Sequence, residues 1–451
     1  MSRRVLSCVW LFSLALTGSP AGLQAQDNWP RFRGATAAGV AIDDPRLPEH
    51  WSTTENVRWT AEIPGWGWGS PIVWGDRLFV TSVVSDQEYE RPQKGLYLGQ
   101  GRQKPPDGIH RWWVYCLHRE TGEMLWKQEV HQGEPQIPRH PKSTYASETP
   151  ATDGERLYVL FGDVGLYCFD MQGQQLWTHP IEAKKTLMGY GAASSPIVHE
   201  GQVIYVYDNQ EASYIACLDG ATGETRWQRE RDENSTWATP CVWQRDSTTE
   251  IVVAGRKAIR GYDLQGDLRW DLTGPMSNLV IPSPFASHGL LYVTSGYVGD
   301  RERPVYVLRP DIEGHVAMPD TVTAETELPP AIAWYLPQAG PYNPSPIVYG
   351  DYYYTVFDRG FLTCHNARTG EVVYDKQRFA PGASFTASPV AYNGKLFCTS
   401  EDGDTYVIAA GPEYKILATN SLSELTMACP AVAQGNLFIR TASKIYCLGQ
   451  P

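Results

Sequence analysis

Two tryptophans, a glutamate and an asparagine carry the chemistry most easily imagined for this chain. Trp68, Glu148, Trp237 and Asn343, with Thr386 and Met427, each stand just before a short apolar run, and Tyr190 and Tyr342 lie close by in sequence. Indole faces stack on planar ligands. A carboxylate and an amide oxygen are the donors that a hard cation takes. A structural reading stands beside this one: the aromatic rings plug the centre of a β-architecture, and Glu148 caps loop N–H groups.

A second set is basic. Arg91, Lys94, Arg102, Lys104, Arg111, Arg139, His140 and Lys142 lie on two neighbouring loops, and Lys184 and Lys185 follow on the next. On a chain with 38 Lys+Arg against 50 Asp+Glu, and so a net charge of −12, this is a local patch that could hold an anionic ligand by charge-assisted hydrogen bonds, with Arg139 and Lys142 as the candidate contacts. Asp86, Glu88, Glu90, Asp107, Glu134 and Glu148 interleave with it, and a solvated mixed-charge loop is the alternative. The acidic balance excludes a generally basic nucleic-acid binder, and 42% hydrophobic residues exclude a largely disordered chain.

Other chemistries find no pattern. The ten histidines form no HExxH or HxH cluster, and neither a P-loop nor GxSxG occurs. Asp402-Gly403-Asp404 reads as a turn between two strands rather than a calcium loop.

The elements that must position these residues repeat. A small residue, Pro and an apolar strand recur at Ser70, Thr149, Ser195, Thr239, Ser283, Ser345, Ser388 and Cys429, with Pro-to-Pro steps of 79, 46, 44, 44, 62, 43 and 41 residues. A unit of about forty residues is four short antiparallel strands, the size of one propeller blade. The fold predicted is all-β, a single eight-bladed propeller over 55–451, with insertions near 85–111 and 310–330. A turn Gly and an outer aromatic keep a fixed spacing in Gly122/Trp126, Gly173/Trp177, Gly223/Trp227, Gly266/Trp270 and Gly370/Tyr374, which suits a large side chain wedged against the next blade. The last unit ends at Tyr446-Cys447-Leu448 without an outer strand, and Asn56–Thr60 reads as the missing piece, so the two ends should close the ring. Both the 85–111 insertion and the 131–148 link emerge on one rim.

Arg3 and Arg4, the apolar run Val5–Leu16 and small residues near Ala25 have the order of a secretory signal peptide, which assigns 1–25 to a leader and 26–54 to an N-terminal extension. The expected location is the periplasm or the medium, and no later run is long enough for a transmembrane helix. Cys116, Cys168, Cys217, Cys364 and Cys447 occupy one place in the repeat, too far apart for bridging and suited to buried thiols.

Units such as Val114-Tyr115-Cys116-Leu117-His118-Arg119-Glu120-Thr121-Gly122-Glu123-Met124-Leu125-Trp126 resemble the pyrroloquinoline quinone (PQQ)-type propeller repeat, and Asn28–Gly34 and 137–150 are similar to exported bacterial proteins of that class. The resemblance implies a fold that carries both quinone dehydrogenases and noncatalytic scaffolds such as the propeller of outer-membrane protein assembly. Two functions are therefore expected. One is a non-enzymatic binding or scaffolding module for a protein or an anionic ligand. The other is a PQQ- and calcium-dependent oxidoreductase acting on an alcohol or sugar, with Trp68 and Trp237 against the quinone and Glu148 and Asn343 on the calcium. The adjacent-Cys pair and the CxxCH haem sequence usual in such dehydrogenases do not occur in this chain. A carbohydrate-active propeller would need paired carboxylates at a defined separation.

Overall fold

The computed structural model describes residues 27–88, 90–97, 101–245, 248–319, 321–323 and 325–450, so the leader assigned to 1–25 lies outside the described residues. Eight antiparallel sheets surround a central axis, and each contains a four-stranded blade. Blade 1 runs from Ile72–Trp74 through Arg77–Ser85 and His110–His118 to Met124–Gly133, and blades 2 to 7 repeat this order outward from the axis. The strands are short, apolar and often β-branched or aromatic, and their middle members are buried on both faces because each blade stacks on its two neighbours.

The ring closes as the sequence predicts. Val57–Glu62 pairs antiparallel with Lys444–Leu448, placing Trp59 opposite Cys447, and so supplies the outer strand of blade 8. This pairing removes the edges an open ring would expose.

Outer tryptophans dock on the following blade. The indole N–H of Trp126 donates to Met171 O (3.1 Å), that of Trp177 to Gly220 O (3.0 Å), that of Trp227 to Leu264 O (2.9 Å) and that of Trp334 to Ala367 O (2.9 Å). Each ring lies over the turn glycine of the next blade. At Gly173, for example, φ is +88° and an added Cβ would sit 2.6 Å from Trp126. Trp270 departs from the pattern, because blade 5 carries an insertion where that turn would be. Its indole N–H donates instead to Glu250 Oε2 (2.7 Å) within its own blade. Part of that insertion, Gly314–Ala317, adds a fifth, parallel strand beside Leu268–Thr273.

All eight cysteines of the described chain are free and buried. No helix of the described residues is long and apolar enough to cross a membrane.

Candidate functional site

A collar of small side chains surrounds the axis. The backbone N–H of Ser70 donates to Thr149 Oγ1 (2.9 Å), that of Thr149 to Ser195 Oγ (2.9 Å) and that of Ser195 to Thr239 Oγ1 (3.0 Å). The relay continues from Thr239 to Ser283, Ser283 to Ser345 and Ser345 to Ser388 at 2.9–3.0 Å, and ends with the Ser388 N–H on Cys429 Sγ at 3.1 Å. From Thr149 to Cys429 each small residue thereby satisfies a backbone donor of the preceding blade, and the Pro that follows has no N–H needing a partner. This is the physical content of the repeated small-residue-Pro step.

Above the collar opens a funnel of about 200 Å³. Its wall is made by the residues two positions before each collar residue, among them Trp68, Trp237, Asn343, Thr386 and Met427, and Tyr190 and Tyr342 complete it. Alternation along an extended linker sends positions 0 and −2 to the axis and position −1 away from it. Trp68 is fixed by its indole N–H on Lys142 O (2.8 Å) and Trp237 by its own on Gly191 O (2.7 Å). Tyr190 stands 6.0 Å from Trp237 and 4.6 Å from His140, ring centre to ring centre. The result is an aromatic cup with one amide, Asn343, on its wall.

Glu148 occupies a −1 position, and Ser147 takes its place at the funnel. The Glu148 carboxylate accepts the Gly162 N–H (2.9 Å) and lines a separate small cavity with Arg139 and Asp163. It therefore shares no cavity with Asn343, and the pair expected to ligate a cation is not brought together. Arg139 also lies outside the funnel, with its guanidinium on the carbonyls of His140, Ser143 and Glu90. Lys142 does line the funnel, but its ammonium is paired with Glu401 Oε1 (2.5 Å), whose side chain is 1% exposed and also accepts the Thr386 hydroxyl (2.7 Å). Burial holds the His140 imidazole down to about 3, with the Lys142, Arg102 and Arg139 charges acting in the same direction, so it is neutral at physiological pH.

Much of the basic rim is paired in the same manner. Lys94 meets Asp402 (2.5 Å), Arg102 meets Glu90, Arg111 meets Glu129 (3.3 Å) and Lys184 meets Glu182 (2.6 Å). Arg91, Lys104 and Lys185 are exposed, so the rim is a mixed-charge surface. Blade 1's insertion crosses the mouth of the funnel: the Gly95 N–H donates to Glu401 Oε2 (2.9 Å), and Leu96 packs on the Tyr190, Trp237 and Tyr342 cluster.

Residues 110–373, more than half of the chain, match the family model described as "Outer membrane protein assembly factor BamB". The chain belongs to this BamB-type family of PQQ-like propellers. A polyvinylalcohol dehydrogenase of a Pseudomonas species is 21% identical over 391 residues, covering 68% of this chain and 53% of that protein, so the BamB-type chain spans about half the length of this relative. Among solved structures, BamB from Moraxella catarrhalis superposes with a TM-score of 0.58 at 12% identity over 88% of this chain and 97% of its own. A europium-containing methanol dehydrogenase superposes with 0.60 at 11% identity over 94% and 98%. At these identities the structures share the fold. The fold family thus reaches scaffold and dehydrogenase alike, and the site residues must discriminate.

Sequence reasoning missed Glu401, the anchor of Lys142 in this BamB-type propeller. It sits in a turn of blade 7, 259 residues from its partner, and no spacing signals the contact. The relocation of Glu148 has a measurable consequence. Burial, then the Asp163 charge, pushes its carboxyl up to about 8, although the backbone N–H groups it meets oppose the shift. Between its unfolded value near 4.5 and about 8 the folded protein binds a proton that the unfolded chain releases, so stability falls as pH rises through that window. Asp163, pushed up to about 6, and His140, held at about 3 against an unfolded 6.5, act mainly below pH 6.5. From pH 6.5 to 8 the wild type should therefore lose roughly 1–2 kcal/mol of unfolding free energy, and Glu148→Gln should flatten that slope. Urea unfolding at three pH values measures it.

Proposed function

We propose that this chain is an exported, non-enzymatic binding or scaffolding module. It takes a protein partner, or a small planar ligand without strong charge, at the insertion-bearing face through the central funnel. The observation that carries this reading is the engagement of the ionisable groups at the funnel. Lys142 is held by Glu401, His140 is kept neutral, and Glu148 and Arg139 are turned into another cavity. A rigid ring with aromatic walls and one amide suits recognition, whereas alcohol oxidation needs an available base beside the reacting carbon. The pair Glu148 and Asn343 does not fit calcium, since the two line different cavities and cannot ligate one ion together.

The aromatic cup favours one second reading, PQQ-dependent oxidation of an alcohol or sugar, which the dehydrogenase relative also suggests. Calorimetric titration of the mature chain with PQQ, with and without Ca²⁺, followed by dye reduction on alcohols and sugars, separates the two. The binding-module reading expects no calcium-dependent step and no turnover; tight, calcium-dependent binding with turnover would replace it. If PQQ does bind, Trp237→Ala should weaken it at least about tenfold through loss of the stacking face. Export is part of the same proposal: the chain recovered from a periplasmic fraction should begin near Gln26, and a retained Met1 would contradict it.

A further inference from the structure

The funnel is blind, because the N-terminal extension closes the axis on the far side of the collar. Asn28 Oδ1 accepts the Gly75 N–H (2.8 Å), Trp29 and Val73 exchange backbone hydrogen bonds (2.9 Å), and the Thr152 N–H of blade 2 donates to Pro30 O (2.9 Å). Arg33 Nη2 then reaches Pro346 O of blade 6 at 2.6 Å. Blades 2 and 6 stand opposite each other in the ring, so Phe32, which lines the funnel from below, is carried across the axis. A ligand enters from the insertion-bearing face and cannot pass through.

The floor is made of hydroxyls with bonds still to offer. Thr149, Ser195, Thr239, Ser283 and Ser345 are 2–6% exposed and line the funnel, and each hydroxyl oxygen accepts one backbone N–H. None of the five donates its own proton to another group among the described residues, so each keeps one O–H donor and one lone pair. The amide of Asn343, two residues before Ser345, likewise makes no hydrogen bond among the described residues. Charge on the lining is absent or cancelled: His140 is neutral, and Lys142 is met by Glu401 at 2.5 Å. A carboxylate or phosphate would use the hydroxyl protons alone and bring a charge that no uncompensated cation on the lining meets. Groups that both donate and accept are matched by a ligand whose own groups do the same, and hydroxyls are such groups.

The walls supply an apolar counterpart. The Trp68 and Trp237 rings are held by their N–H bonds at 2.8 and 2.7 Å, with Tyr190 and Tyr342 beside them. Aromatic faces fixed in this way bury C–H groups. The funnel's 200 Å³ holds roughly seven waters at about 30 Å³ each, a space that a single sugar ring fills and a pair exceeds.

We infer that the funnel takes the terminal pyranose of an uncharged sugar, with a C–H face against an indole wall and the hydroxyls of one edge on the collar and Asn343. The inference rests on the binding-module reading and narrows its ligand. Because Phe32 closes the channel, only an end ring enters, whether the sugar is free or the tip of a longer glycan.

Saturation-transfer NMR on the folded mature chain tests this with D-glucose, D-galactose and N-acetyl-D-glucosamine, with maltose and cellobiose as short chains and D-glucuronate as a charged counterpart. We expect saturable transfer to an uncharged monosaccharide, at least about tenfold weaker binding of glucuronate, and transfer confined to one ring of any disaccharide that binds. A disaccharide that binds as tightly as its monosaccharide identifies a glycan end as the ligand; one that fails to bind identifies the free sugar. Ser345→Ala should weaken binding at least about tenfold, but it leaves the Ser283 N–H without its acceptor. Asn343→Leu removes no hydrogen bond among the described residues, should weaken binding as much, and decides if the alanine variant fails to fold. No saturable transfer to any of the uncharged sugars, transfer spread evenly over both rings of a disaccharide, or wild-type affinity in Asn343→Leu overturns the inference. Benzamide, flat and uncharged, separates that failure from failure of the reading beneath it. Benzamide binding that Trp237→Ala abolishes leaves the binding module standing without its sugar, whereas calcium-dependent PQQ binding with turnover removes both.

Discussion

Asp208→Ala is expected to lower the unfolding free energy by about 3–5 kcal/mol and to loosen the funnel wall in the same step. Asp208 holds Arg231 through both oxygens, at 2.9 and 3.1 Å, and the two side chains are 0% exposed. Burial works against the Arg231 charge; the Asp208 charge outweighs it and raises the guanidinium above its ordinary value. Without the carboxylate, a cation remains in the dry interior with the Tyr262 hydroxyl (3.2 Å) as a hydrogen-bond partner and the Glu233 charge as a weaker support. The same carboxylate accepts the Thr236 hydroxyl at 2.6 Å, one residue before Trp237. The linker from 231 to 237 is thus tied at both ends to a turn of blade 3, and releasing it should free the Trp237 ring. Asp208→Asn keeps the shape without the charge and should fall between. Guanidinium unfolding followed by tryptophan fluorescence measures both, and a loss under about 1 kcal/mol for the alanine variant would mean that the pair is as dispensable as a surface ion pair.

The propeller is legible in the sequence because its defining contacts are local. Adjacent strands of a blade are joined by short turns, and the turn Gly and outer aromatic keep their four-residue spacing. Closure by Asn56–Thr60 is legible for a related reason: a repeat with a strand missing at one end and a spare strand at the other has few ways to leave no edge. Trp68, Trp237, Asn343, Thr386 and Met427 come together on one funnel wall because they share one position relative to the Pro.

Where the reading of the site differs, the difference is a single residue of register or a contact between distant turns. Glu148 and Ser147 are neighbours, yet on an extended strand one faces the axis and the other faces the next blade. A carboxylate draws the eye and a serine does not; the position relative to Pro150 decides. The rim looks basic in sequence because Arg102 and Lys94 stand out, whereas their partners Glu90 and Asp402 are separated from them by 12 and 308 residues. Charge clusters on long insertions pair with whatever the fold brings over them. The collar relay was hidden for another reason: its donors are backbone N–H groups, which no sequence displays. Only the recurrence of Ser or Thr before Pro, with Cys429 breaking it, could have pointed there.

The closing strand makes a sharper demand on the fold than any funnel residue, and Trp59 is where to test it. Trp59→Ala should cost about 3–5 kcal/mol, the usual cost of removing a buried indole. Its ring is 8% exposed, lies 6.1 Å from Phe438 and donates its N–H to Arg119 O at 2.8 Å. It covers Gly122, where φ is +73° and a Cβ would come within 2.5 Å of the ring. Trp59 therefore belongs to blade 8 by its strand and to blade 1 by its side chain, and it joins the first and last described turns of the ring. An equivalent wedge, Trp177, stands on a strand that a turn joins to the rest of its own blade. Trp59 stands on Val57–Glu62, which the chain joins to blade 1 and which only its pairing with Lys444–Leu448 and packing such as Trp59 on Phe438 hold to blade 8, so its loss weakens the one seam among the described residues that no turn spans. The expectation is thus asymmetric: Trp59→Ala should also speed unfolding more than Trp177→Ala does at equal equilibrium cost, because the seam is where the ring first opens. Paired denaturant equilibrium and stopped-flow unfolding of the two variants tests this, and equal unfolding rates would place the weakest point of the propeller elsewhere.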